Sequence, residues 1–585
     1  MSQTAATAAL SWKIRESDPE EVRLLSERLS VHPITAQLLI QRGIRPSSAC
    51  AFLAPSTDLL YDPFLFQEMN RATARILRAI ERNEKILIYG DYDVDGITGT
   101  ALLVETFRQL GHPVIYYIPD RFKEGYGLQL PSLRRAREDG TTLVIAVDCG
   151  TTAHDEIKEA VSFGVDIVVV DHHQLASGPP PAAAFLNPGA PQGKGGYPFQ
   201  GLSSVGVAFK LAEALFQRCG LSSLRLRPLL DLVALGTMAD VAPLIEENRF
   251  FVSEGLRVIR EGARPGIAAL LHLAEEETTS VTERTLAYRL APQLNAAGRL
   301  YHAGEAVALL TAPSWEEALP LAERLAQYNR ERRQIEMKMW EEAERQVEAI
   351  EGKDRLPLFV LASEGWHPGV VGIIASRLAE RYRRPAIIIA LSPEGIGRGS
   401  GRSVEGIDLH RLVSTCRPLL DQFGGHAQAI GLTIQADRID LFREAVVNLF
   451  SEISSAGTEE VLWIDAEINL EEMTFDWVRA IETLAPFGPD HPEPVFLARN
   501  LFLVSVRREP DRPVRFKVRD TKRWTVDVVA PHRLKVCWDA FEEGAAVDLA
   551  FTPEVGNWQG ESRVFLRFKG IRRAGLTEGR PEDRC

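Results

Sequence analysis

The apolar run Val165-Asp166-Ile167-Val168-Val169-Val170 stops at Asp171-His172-His173. A carboxylate and two adjacent imidazoles at the tip of a buried strand suit manganese-, zinc- or iron-type ions better than calcium. The run constrains the fold as well as the chemistry, because a strand this uniformly apolar belongs in a sheet covered on both faces. The flanking sequence supplies the covers. Strands are expected at Lys85–Tyr89, Val114–Ile118, Thr142–Val147 and Asp166–Val170. Helices are expected at Thr98–Leu110, His154–Phe163, Val205–Arg218 and Arg227–Leu235. This alternation implies a mostly parallel sheet, whose ligands sit beyond the carboxyl ends of the strands.

Those ends carry aspartates. Gly90-Asp91-Tyr92-Asp93-Val94-Asp95-Gly96 follows the first strand, and its alternation can point Asp93 and Asp95 at neighbouring ions. A calcium loop of the D-x-D-x-D-G type would need a Glu at its twelfth position and a helix ahead of it. Here the twelfth residue is Leu102 and a strand precedes. Asp148 follows the strand Thr142–Val147, and Asp240 follows Gly236-Thr237-Met238-Ala239. Singly, each could cap a helix or shape a turn. Together, Asp93, Asp95, Asp148, His172 and Asp240 suffice for two divalent ions sharing a bridging carboxylate. His173 is left for a substrate oxygen or for support of the ligands.

A chain of 585 residues has room for several domains. Residues 1–80 read as a helical lead-in, with helical spacing at Glu20–Leu29, Ile34–Arg42 and Ala72–Arg82. The α/β pattern occupies 81–315. Leu321 to Ile350 has neither Gly nor Pro and should form a bridging helix of roughly 45 Å, placed at 316–352. Leu356–Leu361, Val370–Tyr382 and Ala386–Ala390 restart the alternation, giving a second α/β domain at 353–455. Leu501–Arg507, Val514–Arg519, Thr525–Val529, Ala546–Phe551 and Ser562–Phe568 predict a small β-barrel at 460–575.

The net charge of −13 does not advertise nucleic-acid binding, but Ser505–Lys535 carries ten Lys/Arg against four Asp/Glu. That stretch is a candidate phosphate-tracking surface. The six cysteines are scattered without a C-x-x-C pair, as expected in a reducing cytoplasm. No apolar run approaches the ~18 residues of a membrane span, and no secretory signal is read.

The order Asp93-x-Asp95, Asp148, Asp171-His172-His173, Asp240 resembles the DHH phosphoesterase superfamily. Ile88–Thr98, Val147-Asp148-Cys149-Gly150, Gly236–Asp240 and Asn295-Ala296-Ala297-Gly298-Arg299 are most similar to its single-strand-specific 5′→3′ DNA exonucleases. The resemblance implies a multidomain α/β chain: a parallel-sheet DHH domain, a connecting helix, an α/β DHH-associated domain and an OB-fold barrel. It implies two manganese or magnesium ions on Asp93, Asp95, Asp148, His172 and Asp240, with Asp148 as the bridge and Asp91, Asp171 and His173 beside them. The superfamily's pyrophosphatases carry a histidine near the position of Tyr89, so one ion here is expected to be held less tightly.

The resemblance also assigns a substrate-binding half. Gly397–Ser403 and Phe423-Gly424-Gly425-His426 carry glycines that let backbone N–H groups approach an anion closely, the alternative being two ordinary Gly-rich turns. In the family, Ser400-Gly401-Arg402 grips the terminal 5′ phosphate. Arg299 and His426 stand near the scissile phosphate, and Arg121 is a weaker candidate for the same end. Phe516, Trp524, Trp538 and Trp558 are candidate stacking platforms in the barrel. Leu484–Pro494 resembles the family's lead into that barrel. Its usual ending is closer to Gly-Asn-Pro-Glu-Pro, and Pro489-Asp490-His491 departs from it, leaving the local turn open.

The implied activity is exonucleolytic release of 5′ mononucleotides from single-stranded DNA in repair and recombination, by a monomer. Helicase and single-strand-binding partners are family expectations only. An oligonucleotide or cyclic-dinucleotide phosphodiesterase usually lacks the barrel. A non-catalytic replication scaffold would have lost ligand residues that all stand here.

Overall fold

The computed structural model describes residues 11–175, 178–190, 196–353, 356–453, 461–509, 513–531, 541–558 and 561–575. The chain divides into two compact units. One comprises residues 50–332 with 485–492, the other the rest of the chain.

The first unit is built on a five-stranded parallel sheet. Its order is Ile115–Tyr117, Lys85–Gly90, Thr141–Val147, Asp166–Val170, Ala184–Leu186. Alternate residues enter different cores, as the twofold period of a strand dictates. Ile86 and Ile88 pack with the helices Val94–Gln109 and Ser204–Arg218, while Leu87 and Tyr89 pack with Leu133 and Ile157 of Leu130–Glu138 and His154–Ser162. Burying each Ile or Leu contributes about 1.5–3 kcal/mol. From Lys85–Gly90 the chain runs outward to the edge strand, then crosses back to Thr141–Val147 on the other side. That reversal opens a crevice beyond the carboxyl ends of these two strands.

Two helices here differ from expectation for local reasons. The first starts at Val94 rather than Thr98, because Asp93 Oδ1 accepts from Asp95 N (2.9 Å) and Gly96 N (3.1 Å) and caps it. Gly96 is required there, since a Cβ would lie 2.7 Å from Asp91 N. The second runs Leu230–Ala239 and not Arg227–Leu235, as Pro228 confines Ser223–Leu229 to a 3₁₀ stretch. The longer helix makes Asp240 its C-cap.

In the second unit, a mixed sheet runs in the order Gln422–His426, Ala429–Gln435, Ile396–Arg402, Ala386–Leu391, Phe359–Ser363. Both glycine motifs therefore lie on strands, not in the ordinary turns that were the alternative reading. The reason is packing. Cβ atoms at Gly397, Gly399 and Gly401 would lie 2.8, 2.7 and 2.6 Å from Ile389, Leu432 and Ile430. These alternate glycines face the core, leaving Arg398, Ser400 and Arg402 on the other face.

The helix Trp315–Ala349 has 35 residues, about 52 Å at 1.5 Å each. It begins ahead of Pro320, which removes one helix hydrogen bond. The C-terminal strands close a five-stranded barrel: Phe496–Arg507, Val514–Arg519, Thr525–Ala530, Glu561–Arg573, Ala546–Trp558, and back to the first. The lead-in is not wholly helical, because Ser11–Ile14 pairs in parallel with Val461–Ile464. Among the described residues, no helix is long and apolar enough to cross a membrane.

Candidate metal centre

Every strand end at the crevice delivers a carboxylate. Asp91 follows Lys85–Gly90, Asp148 follows Thr141–Val147 and Asp171 follows Asp166–Val170. Asp148 sits at φ +63°, a left-handed conformation that few residues other than glycine adopt. Its N–H still reaches Val170 O at 3.0 Å, and its Oδ1 accepts from Ser204 Oγ at 2.9 Å. Asp95 is buried, with its two oxygens accepting from Ser204 N (2.6 Å) and Val205 N (2.9 Å) at the start of the helix Ser204–Arg218. Gly236 makes room for this contact, since a Cβ there would lie 2.3 Å from Thr98 Oγ1 and 3.1 Å from Asp95 Oδ1.

Around this floor the donor atoms converge in three overlapping sets, each with all atoms within 4.8 Å of one another. They are Asp91, Asp93 and Asp148; Asp95, His172 and Asp240; and Asp148, His172 and His173. His172 Nε2 lies 3.6 Å from Asp148 Oδ1, and its Nδ1 lies 3.7 Å from Asp240 Oδ2. Asp148 and His172 each belong to two sets, the position a bridging or central group occupies. Asp91, expected beside the ions, stands within the donor set itself.

Asp171 does different work. Its Oδ1 accepts from His172 N (2.8 Å), His173 N (3.2 Å) and His173 Nδ1 (2.7 Å), and its Oδ2 from Thr151 N (3.0 Å). Burial opposes its charge, but the His173 bond and charge prevail and hold the carboxyl below the usual range. In return the His173 imidazole, against its burial, is raised to about 9. The second imidazole of the triplet is thus fixed by the first residue of the same triplet.

The remaining carboxylates move the other way. Burial first, then repulsion from Asp93, raises Asp91 and Asp148 well above the ordinary value and Asp95 to about 7. Burial, then Asp95 and Asp93, raises Asp240 to about 9. Buried carboxylates crowded this way need protons or cations among them. Asp91 Oδ1 is buried without a hydrogen-bond partner. Carboxylate oxygens with imidazole nitrogen are donors that manganese accepts, and magnesium takes the oxygens. The residues fit a pair of such ions.

A rim of aromatic and basic groups borders the cluster. Arg121 lies 4.9 Å over the Tyr92 ring, Tyr92 meets Tyr126 edge-on at 6.3 Å, and Tyr126 meets His173 at 5.8 Å. Tyr126 O–H also donates to Asp148 O at 3.2 Å. Arg299 is on the helix Ala291–Leu300, and a Cβ at the preceding Gly298 would lie 2.5 Å from Tyr92 O, so this helix abuts the rim. Sequence reasoning passed over Tyr126, Ser204, Thr151 and Asn187, whose Nδ2 donates to His173 O at 2.9 Å. Ser203-Ser204 ahead of an apolar helix was the one available signal. Tyr126 lies in a loop between Gly125 and Gly127, both at positive φ, and carried none.

In the second unit, the sheet register aligns the other expected residues. Arg402, Ala429 and His426 form one row, and Ser400, Gly431 and Gly424 the next. Cβ atoms at Gly424 and Gly431 would meet nothing, so a lane free of side chains runs beside Ser400. Arg402 Nη1 donates to Ser400 Oγ at 2.8 Å. Gly425, at φ +134°, presses against Ala429 O, where a Cβ would lie at 2.3 Å. In the barrel, Phe516 is core, packed edge-on against Phe568, whereas Trp524 is 57% exposed. Trp538 and the side chain of Trp558 lie outside the described residues.

The family models for the DHH family N-terminal domain, the DHHA1 domain and the RecJ OB domain match residues 85–237, 355–452 and 464–570. The single-stranded-DNA-specific exonuclease RecJ of Dickeya dadantii is 38% identical over 80% of this chain and 84% of its own. That of Salmonella typhimurium is 33% identical over 94% and 97%. That of Bacillus subtilis is 40% identical over 85% of this chain, which spans 63% of its length. The Thermus thermophilus RecJ structure in complex with Mn2+ superposes with a TM-score of 0.82 at 28% identity, covering 97% of this chain and 80% of that one. Its Mg2+ complex gives 0.75. With the sheet order, the donor cluster and the closed barrel already in agreement, the chain belongs to the RecJ family of DHH-superfamily exonucleases.

Proposed function

We propose that this chain hydrolyses single-stranded DNA from its 5′ end, releasing mononucleotides, with two manganese or magnesium ions held by Asp91, Asp93, Asp95, Asp148, His172 and Asp240. The observation that carries the reading is the convergence of these donors at the crevice of the parallel sheet. Bound divalent cations supply a nucleophilic water at neutral pH and offset charge on the phosphoryl oxygens.

The protein's own groups do the rest. Asp171 holds the His173 imidazole at Nδ1 and sets its Nε2 3.3 Å from the Tyr126 hydroxyl, at the rim where a phosphate oxygen would approach. Asp93 spends one oxygen on the helix cap and keeps the other for a cation. Arg121 and Arg299 meet the negative charge of the DNA backbone at the rim. Ser400, Arg402, Gly424 and Gly425 take the terminal 5′ phosphate, the Ser–Arg bond presenting the guanidinium and the glycines leaving space, while His426, with Arg299, is assigned to the scissile phosphate. An anion site that accepts an end, and not a chain interior, gives the polarity.

We read 81–315 as the catalytic domain, 316–352 as the connecting helix, 353–455 as the phosphate-binding domain and 460–575 as the barrel that retains the strand, after a lead-in at 1–80. The complete donor set and the closed barrel support a nuclease over a scaffold or a small-substrate phosphodiesterase. A cytoplasmic monomer working with a helicase and a single-strand-binding protein completes the proposal. The test is Asp148→Asn, which keeps the side-chain shape and suits the left-handed backbone. Turnover of 5′-labelled single strands with Mn2+ should be lost. Normal turnover would remove the two-cation reading.

A further inference from the structure

Residues Ala485–Pro492 come from far along the chain, yet they belong to the unit formed by residues 50–332. They cross it as a strap with a dedicated clamp. Arg249, 1% exposed, donates from Nε to Phe52 O (2.9 Å), from Nη1 to Pro486 O (3.2 Å) and from Nη2 to Ala485 O (3.1 Å). Its guanidinium lies 3.7 Å over the Phe52 ring. Phe487 N donates to Glu283 Oε1 at 3.3 Å, and the His491 ring stacks on Phe487 and meets Phe52 edge-on. Gly488 and His491 exchange backbone hydrogen bonds of 2.9 and 3.1 Å across Pro489-Asp490, with Asp490 at φ +58°.

The strap touches the segment that follows Asp240. Leu244 N donates to Pro489 O at 2.9 Å, and the Leu244 side chain fills the space over Gly488, where a Cβ would lie 2.8 Å from Leu244 Cδ1. Between Asp240 and Leu244 stands Val241, at φ +59° and 67% exposed. A β-branched residue in the left-handed region is a true outlier, and it persists only where its surroundings over-determine it. Exposure shows that side-chain packing does not hold Val241 there. The flanking anchors do: Ala242 N on Thr237 O (3.2 Å), Asn248 Nδ2 on Pro243 O (3.0 Å) and Leu244 N on the strap.

We propose that the strap Ala485–Pro492 and its clamp Arg249 are positioning elements of the metal centre, holding the strained Val241 turn so that the Asp240 carboxylate stays among the cation donors. The proposal rests on Asp240 being a cation ligand. Arg249 and Gly488 touch neither cation nor substrate, and act through Val241 and Asp240.

The test is calorimetric titration of the full-length, metal-free protein with Mn2+. Gly488→Ala displaces Leu244 without backbone strain of its own, and Arg249→Gln releases the strap. Each should weaken one of two Mn2+ sites by about tenfold, within the range lost when a group supporting a metal ligand is removed. KM for single-stranded DNA at saturating Mn2+ should stay unchanged. Adding Val241→Gly to Gly488→Ala should restore the affinity, because glycine takes the turn without being forced. Wild-type Mn2+ affinity in Gly488→Ala would overturn the proposal, as would a loss that Val241→Gly fails to restore. If Arg249→Gln does not fold, Gly488→Ala decides alone. Asp240→Asn is the control: two undiminished Mn2+ sites there would discard the ligand reading beneath the proposal, not the link from strap to turn.

Discussion

Asp240→Asn should make the metal-free protein more stable while removing a cation ligand. Without cations the Asp240 carboxyl is raised to about 9 from an ordinary 3.8, by burial and then by Asp95 and Asp93. At pH about 7.5 the folded chain therefore holds a proton that the unfolded chain releases, a cost of about 5 kcal/mol at about 1.4 kcal/mol per tenfold. Asparagine removes that cost but places an amide against carboxylates, which returns about 1–3 kcal/mol. The net gain of about 2–4 kcal/mol corresponds to a rise in Tm of about 5 °C or more for a unit of this size. The pH dependence has a definite sign. A carboxyl whose folded value is raised favours the fold below its unfolded value and loses that advantage as pH rises. The metal-free wild type should thus lose stability between pH 5 and 9, through the raised values of Asp95 and Asp240, and the variant should lose less. Mn2+ works against that gain: at about 100 times its Kd it adds about 2.7 kcal/mol to the protein that binds it and narrows the gap, and at about 1,000 times its Kd it adds about 4.1 kcal/mol and closes or reverses it. Differential scanning calorimetry with EDTA and with Mn2+ reads both halves. A variant less stable than wild type in EDTA, or equal stabilisation of both by Mn2+, would refute the reasoning.

Lys210→Met should destabilise the first unit by about 3–5 kcal/mol in urea unfolding, because the fully buried Lys210 ammonium lies 2.7 Å from Glu213 and 3.1 Å from Glu247, and its loss strands buried carboxylates. Gly399→Val should cost about 1–3 kcal/mol by overpacking against Leu432, visible as earlier unfolding of the second unit. Trp524→Ala should leave the fold intact and weaken single-strand binding by about 1–3 kcal/mol in fluorescence titration, whereas Phe516→Ala should cost about 3–5 kcal/mol of barrel stability.

The metal cluster was legible because Asp91, Asp148 and Asp171 each stand one position past a strand, and strand ends in a parallel sheet converge. The sheet itself was legible except for Ala184–Leu186, three residues too short to show a period. Ser11–Ile14 was invisible because its partner, Val461–Ile464, lies at the far end of the sequence. The glycines of Ile396–Arg402 left an ordinary turn open as the alternative until their alternation is set beside Ile389, Leu432 and Ile430, which fill the space a side chain would need. Asp490 shows the opposite case. It takes the left-handed conformation that glycine adopts most readily, so the departing Pro489-Asp490-His491 still closes a tight turn, with Gly488 and His491 hydrogen-bonded across it. Arg249 gave no signal, since a buried arginine clamped on three carbonyls looks in sequence like any helix-surface arginine.

The most direct measurement is anomalous diffraction at the manganese edge from crystals soaked in Mn2+. Two peaks are predicted, one among Asp91, Asp93 and Asp148 and the other among Asp95, His172 and Asp240. A single peak elsewhere, or none within coordination distance of Asp148, would contradict the two-cation centre.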